Sequence, residues 1–131
     1  MRGRQLLTGD ELAAVRHALL AIQAQVRWKP GKDIQHLEKR QRMGHLPSHY
    51  SLDDYNNLIR VIVRNGQNLV YCYEFAGERY YAVRGTSGGK EWLVIFSRKG
   101  IMETAFVPEE MDQYLARRGF VLVGRIEEVL R

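Results

Sequence analysis

The chain holds a single cysteine, Cys72, only three prolines and no apolar run that could cross a bilayer, and each shortage removes a class of protein. One thiol excludes an internal disulfide and a four-cysteine zinc site, so a reducing compartment, by default the cytoplasm, is the expected setting. A spanning helix needs ~18 or more apolar residues in a row, and no stretch approaches that. Arg2 and Arg4 make the start basic, but no apolar segment of a signal peptide follows them, so neither secretion by a cleaved signal nor membrane insertion is expected. No tract is compositionally biased. With 45% hydrophobic residues over 131 positions, the chain is sized for one core and one domain, residues 1–131.

Positive charge is present in excess, and it is unevenly placed. Residues 1–64 carry 11 Lys and Arg against 6 Asp and Glu, whereas residues 65–131 carry 9 of each kind. The densest part is 27–42, where Arg27, Lys29, Lys32, Lys39, Arg40 and Arg42 face only Asp33 and Glu38. Such a patch favours a polyanion, most simply a nucleic-acid backbone, and its bland alternative is a solvated basic face.

Periodicity predicts an α+β domain: N-terminal helices, then a four-stranded antiparallel sheet with a candidate fifth strand, and a C-terminal helix. Residues 1–30 hold the first helix. Thr8 and Glu11 stand at capping-box spacing, Leu12, Val15, Leu19, Ile22 and Val26 form its stripe, and Lys29-Pro30-Gly31 ends it. Residues 33–64 hold two more. In the helix from Asp33 to Met43, Ile34, Leu37 and Gln41 share one face, and His36, Lys39, Arg40 and Met43 the opposite one. Pro47 breaks the chain into a loop carrying His45 and His49. Ser51 then caps a helix whose stripe is Leu52, Tyr55, Leu58, Ile59 and Ile62. Residues 69–107 alternate with period two and read as a meander, with strands at 69–75, 79–84, 91–97 and 101–107 and a glycine loop at 85–89. Residues 108–131 give a helix opened by Pro108 and the candidate strand at 120–124.

Three of the four histidines, His36, His45 and His49, lie in or just after the basic run, and three chemistries could use them. Metal-free RNA cleavage needs a base of near-neutral pKa, an acid for the leaving oxygen and fixed cations around the phosphorane, which His with Lys or Arg supplies. A zinc site is disfavoured, because Pro47 prevents a helical pair of His45 and His49 and no Cys, Asp or Glu falls at motif spacing. The third reading is structural, with imidazoles packing or capping carbonyls. His17 reads as packing or surface and Cys72 as a core thiol. Thr104 and Trp92 in strands, with Arg84 and Lys90 beside the glycines, could hold phosphate and stack bases on a sheet face; core packing is the alternative for Trp92. The glycines themselves make no P-loop, since they join strand to strand.

The segment Asp33-Ile34-Gln35-His36-Leu37-Glu38-Lys39-Arg40, then Gly44-His45-Leu46-Pro47, Asp54-Tyr55, Trp92-Leu93-Val94-Ile95-Phe96 and Gly100-Ile101-Met102-Glu103-Thr104-Ala105-Phe106 resembles the barnase–EndoU–colicin–RelE-like superfamily of small toxin-type ribonucleases. These occur in toxin–antitoxin systems, polymorphic toxins and phage proteins. The resemblance covers about residues 33–110 and leaves the first helix unexplained. It implies helices followed by a four-stranded antiparallel sheet, endoribonuclease activity without metal or cofactor, and a cognate antitoxin or immunity protein as partner. Carried onto this chain, His36 is the motif histidine, Arg40 its basic companion and Thr104 the strand hydroxyl, with His45 as a further catalytic candidate. Lys39 would join Arg40 on phosphate charge, and Arg42, Arg84, Lys90 and Trp92 would grip flanking nucleotides. Two other readings stand beside this one. One is a non-catalytic nucleic-acid-binding or protein-interaction module on the same fold. The other is an assembly partner whose leucine-rich first helix binds another subunit or a second copy.

Overall fold

The computed structural model describes residues 7–131; the basic start at Arg2 and Arg4 lies outside the described residues. The elements run in the order α1 (Gly9–Ala24), β1 (Arg27–Trp28), α2 (Lys32–Arg42), α3 (Leu52–Arg64), β2 (Leu69–Phe75), β3 (Glu78–Ser87), β4 (Lys90–Ser97), β5 (Ile101–Phe106), α4 (Met111–Arg118), β6 (Val121–Arg125) and α5 (Ile126–Val129). The fold is α+β, as the periodicity predicts, but the sheet has six strands in the order β1-β5-β4-β3-β2-β6 and is mixed. Strands β2 to β5 form the expected antiparallel meander, and β6 adds to β2 as the fifth antiparallel strand.

The sixth strand corrects the reading of residues 1–30. Helix α1 ends at Ala24, six residues before Pro30, because Gln25 is extended and Arg27–Trp28 pairs in parallel with Ile101–Met102 at the sheet edge. A second correction concerns residues 85–89. Gly85, Thr86 and Ser87 pair with Trp92, Glu91 and Lys90, so β3 continues through the expected loop and turns only at Gly88-Gly89.

Both long N-terminal helices begin with the hydrogen bonds their sequences promise. Thr8 and Glu11 reciprocate at α1, and Ser51 and Asp54 do the same at α3. Their buried stripes, Val15, Ala18, Leu19 and Ile22 on α1 and Tyr55, Ile59, Ile62 and Val63 on α3, cover one sheet face made of Val70, Cys72, Tyr81, Val83, Trp92, Val94 and Phe96. The apolar stripe of α1 is therefore spent inside its own domain, and Leu20 alone among its large apolar side chains is exposed. The close fit shows at Gly100 in the β4–β5 turn, at φ +78°, where a Cβ would come within 2.7 Å of Ala21. The opposite sheet face, with Tyr71, Ala82, Leu93 and Ile95, is covered only in part, by Met111 and Leu115 of α4. No described helix is long and apolar enough to cross a membrane.

Candidate functional site

Helix α2 stands at the β1–β5 edge and α4 lies across the partly covered face, leaving between them a cleft of about 540 Å³. One wall is cationic, with Lys29, Lys32, Lys39 and Arg40, and Arg118 of α4 faces it. The floor is aromatic, formed by Tyr73, Phe75, Tyr80 and Phe106, with Tyr114 on the α4 side. Glu103 is the one acid among the described residues lining it.

Strand β5 supplies the hydroxyl through an irregularity. Ile95 pairs with Thr104 but Phe96 pairs with Met102, so Glu103 is an inserted residue, and such a bulge re-aims the side chains around it. Thr104 Oγ1 lies 3.3 Å from Nδ1 of His36, joining α2 to β5 across 68 residues of sequence. The imidazole is held from another side by Trp28, whose ring stacks on it at 5.4 Å while the indole N–H donates to Asn56. Burial, and then the charges of Arg40, Lys39 and Lys32, push the His36 pKa below its usual value, so the ring is neutral at pH 7. Fixed on two sides and neutral, it is equipped to accept a proton.

Arg40 departs most from the expected face of α2. Leu37 and Arg40 are the buried residues of that helix, whereas Ile34 is 46% exposed. The helix is rotated relative to its apolar pattern and turns a cation inward. Arg40 is 3% exposed, no acid faces it among the described residues, and its Nε has no hydrogen-bond partner. Its guanidinium stands 5.5 Å from the centre of the Phe106 ring, a cation–π contact of about 0.5–2 kcal/mol that does not match the several kcal/mol lost on desolvating a charge. Burial lowers its pKa, but from so high a value that it stays charged. A guanidinium with its Nε unpartnered is suited to bind an oxyanion.

The other predicted residues fall elsewhere. His45 does not line the cleft: its Nδ1 accepts from the backbone N–H of Val107, 3.3 Å away, and its ring meets Trp92 edge-on, so it ties the 44–47 loop to the end of β5. Burial, then Arg40 and Lys90, lower its pKa also. Trp92 is 1% exposed between Tyr55 and His45 in the helix-covered core, so its ring offers no face to a ligand, and the packing alternative holds. Arg84 lines a separate hollow at the other end of α4, bonded to Glu91 and Asp112 at 2.9 Å each. Arg42 and Lys90 are exposed outside the cleft, and His49 lies on the surface against Tyr50. Lys39 is where the helix pattern puts it, on the cationic wall. The sequence reading missed Trp28, although an aromatic residue inside the basic run was a visible signal. It also missed Tyr73, Phe75 and Tyr80, which period-two alternation alone cannot assign to an open face. No cluster of three or more His, Cys, Asp or Glu is placed to hold a metal ion among the described residues.

Comparison of the chain with protein-family models, with curated proteins and with solved structures finds no match.

Proposed function

We propose that the cleft binds RNA and cuts it by attack of a 2′-hydroxyl on the neighbouring phosphorus, as in the toxin-type ribonucleases that the sequence resembles. The 2′-oxygen forms its bond to phosphorus, the 5′-oxygen bond breaks, and a 2′,3′-cyclic phosphate and a 5′-hydroxyl result. His36 takes the 2′-hydroxyl proton at Nε2. This requires the tautomer whose Nδ1–H donates to Thr104 Oγ1, so the threonine positions the base. Arg40 and Lys39 hold the phosphate and the added charge of the phosphorane. The leaving oxygen is protonated by a second donor on the lining, where Lys39, Tyr80 and Tyr114 carry N–H or O–H groups. The observation that carries this reading is the His36–Thr104 contact beside a buried guanidinium that has no carboxylate partner among the described residues.

The test is incubation of RNA that contains both paired and unpaired segments with an excess of chelator. Cutting that leaves cyclic phosphate ends, and that His36→Ala abolishes, is the expected result; intact RNA defeats the proposal. One observation favours a second reading, a module that binds RNA without cutting it: among the described residues no second imidazole lines the cleft, because His45 is tied to Val107. That reading expects salt-sensitive binding and no products. On either reading the place of action is where RNA is, the cytoplasm, and an antitoxin or immunity protein would cover the positive cleft.

A further inference from the structure

The aromatic floor has an unfilled end. Tyr73 is closed in by neighbours, with Phe120 stacked at 4.0 Å and Tyr80 at 5.7 Å, and Phe106 meets Tyr114 at 5.2 Å. Phe75 is different: it lines the same cleft, is 63% exposed, and no described aromatic ring pairs with it. It is also rigidly presented. Phe75 is the last residue of β2, and the two-residue turn that follows, Ala76-Gly77, has φ of +53° and +80°, the left-handed pair that matches the twist of a tight hairpin. Tyr80 stands opposite Tyr73 on the paired strand, so Phe75 and Tyr80 form a shelf beside the cationic wall.

Resting on the RNA reading of the cleft, we infer that this shelf is a stacking site for an unpaired nucleobase, and that the substrate is single-stranded RNA. A base has a π-face for an aromatic ring whatever its identity, whereas in a duplex both faces are covered by neighbouring pairs. The cations of α2 track the phosphates while Phe75 takes a base displaced from its stack. A protein partner fits the shelf less well. Stable protein interfaces bury about 800 Å² on each side, and of the exposed large apolar side chains among the described residues only Phe75 and Met43 lie on the cleft.

The experiment uses the whole chain and 2′-O-methyl oligoribonucleotides, which bind but cannot be cut through the 2′-oxygen. At about eight nucleotides they fall within the site sizes of single-strand grooves. A single strand should bind more tightly than the same sequence as a duplex, and more tightly than an abasic sugar–phosphate chain of equal charge. Phe75→Ala and Phe75→Leu should each weaken the base-bearing strand about tenfold or more, leaving the abasic chain unaffected. In Phe75→Trp, the introduced indole should be quenched by the base-bearing strand and not by the abasic one. Equal affinity for base-bearing and abasic chains, or unchanged affinity in Phe75→Ala, overturns the inference and leaves the shelf to a protein partner, while cutting of RNA by the wild type would still stand. Failure of every nucleic acid to bind removes the RNA reading as well.

Discussion

Helix α4 divides one sheet face into two hollows, and Arg40 in the lining of one and Arg84 in the lining of the other are treated oppositely. Arg84 has two carboxylates at 2.9 Å and lies near the Tyr71 hydroxyl at 3.5 Å, and these partners hold its pKa above the usual range. Arg40, more deeply buried, forms no ion pair with a carboxylate among the described residues. A fold under no other demand pairs its buried charges, since an unpaired one destabilises it. The contrast is the one that the proposed phosphate-binding role of Arg40 requires, a buried charge not neutralised from within the fold. It also separates the cleft from its neighbour without reference to any relative.

The sharpest way to break this comparison is at the residue that only one hollow possesses. His36→Ala should lower RNA cleavage by about 100- to 10,000-fold, the usual contribution of a positioned base, with binding of uncut RNA nearly retained. Next comes Arg40→Met, which keeps the buried stem and removes the charge. Melting should show a protein about 1–4 kcal/mol more stable, because the desolvated guanidinium is gone, while affinity for RNA collapses. A destabilised Arg40→Met protein would mean that Arg40 has a partner role in the fold, and the contrast with Arg84 would fail.

The same substitution reads out through the histidines. Burial and Arg40 lower the pKa of both His36 and His45, so in the folded protein both lose their protons below the ordinary value near 6.5. The unfolded chain then binds more protons between those depressed values and about 6.5. Stability is therefore fully present above that window and is lost as pH falls through it. In NMR titration both midpoints should lie below 6.5 in the wild type. Arg40→Met should raise both, but only part of the way, since burial is the larger cause and remains. With His36 as the base, the acidic limb of a cleavage profile, where activity falls as that ring takes a proton, should have its midpoint below pH 6.5 for the same reason.

Much of this fold was legible, and the illegible parts share a cause. Helices α1 and α3 carry capping residues at fixed spacing, a local signal that the structure honours. The meander strands carry their period along the chain. Strand β1 has no such signal: two residues make no period, and they become a strand only because the edge of β5 is there to pair with. The rotation of α2 is likewise set by what it packs on, so Ile34 faces out and Arg40 in against its own pattern. Trp92 was ambiguous because β4 is buried on both faces, where alternation cannot say which face is dry. His36, Arg40 and Thr104 were legible as a group through the resemblance, and the structure brings them to one cleft. His45 was read from its place after the basic run and from the resemblance, and neither records that a backbone N–H takes its lone pair.

His45 accordingly supplies a smaller test. His45→Leu leaves the half-buried Val107 N–H without its acceptor and should lower stability by about 1–3 kcal/mol, as measured by denaturant unfolding. Cleavage per folded molecule should be nearly unchanged, in contrast to His36→Ala. A loss of the His36 kind would move His45 into the chemistry.

The smallest effect is expected in the neutralised hollow. Asp112 is 88% exposed and Glu91 50%, so their bonds to Arg84 are screened by water, and Asp112→Asn should change stability by less than about 1 kcal/mol. Its value lies in what it does to charge. The substitution removes one of two acids from Arg84 and brings that hollow one step toward the condition of Arg40. RNA affinity should nevertheless stay close to that of the wild type at moderate salt, because Arg84 keeps Glu91 and, among the described residues, no imidazole or aromatic shelf lines its hollow. If Asp112→Asn instead strengthened RNA binding as much as Arg40→Met weakened it, net positive charge alone would govern binding. The distinction between a seat built for one anion and a generally basic surface would then be lost.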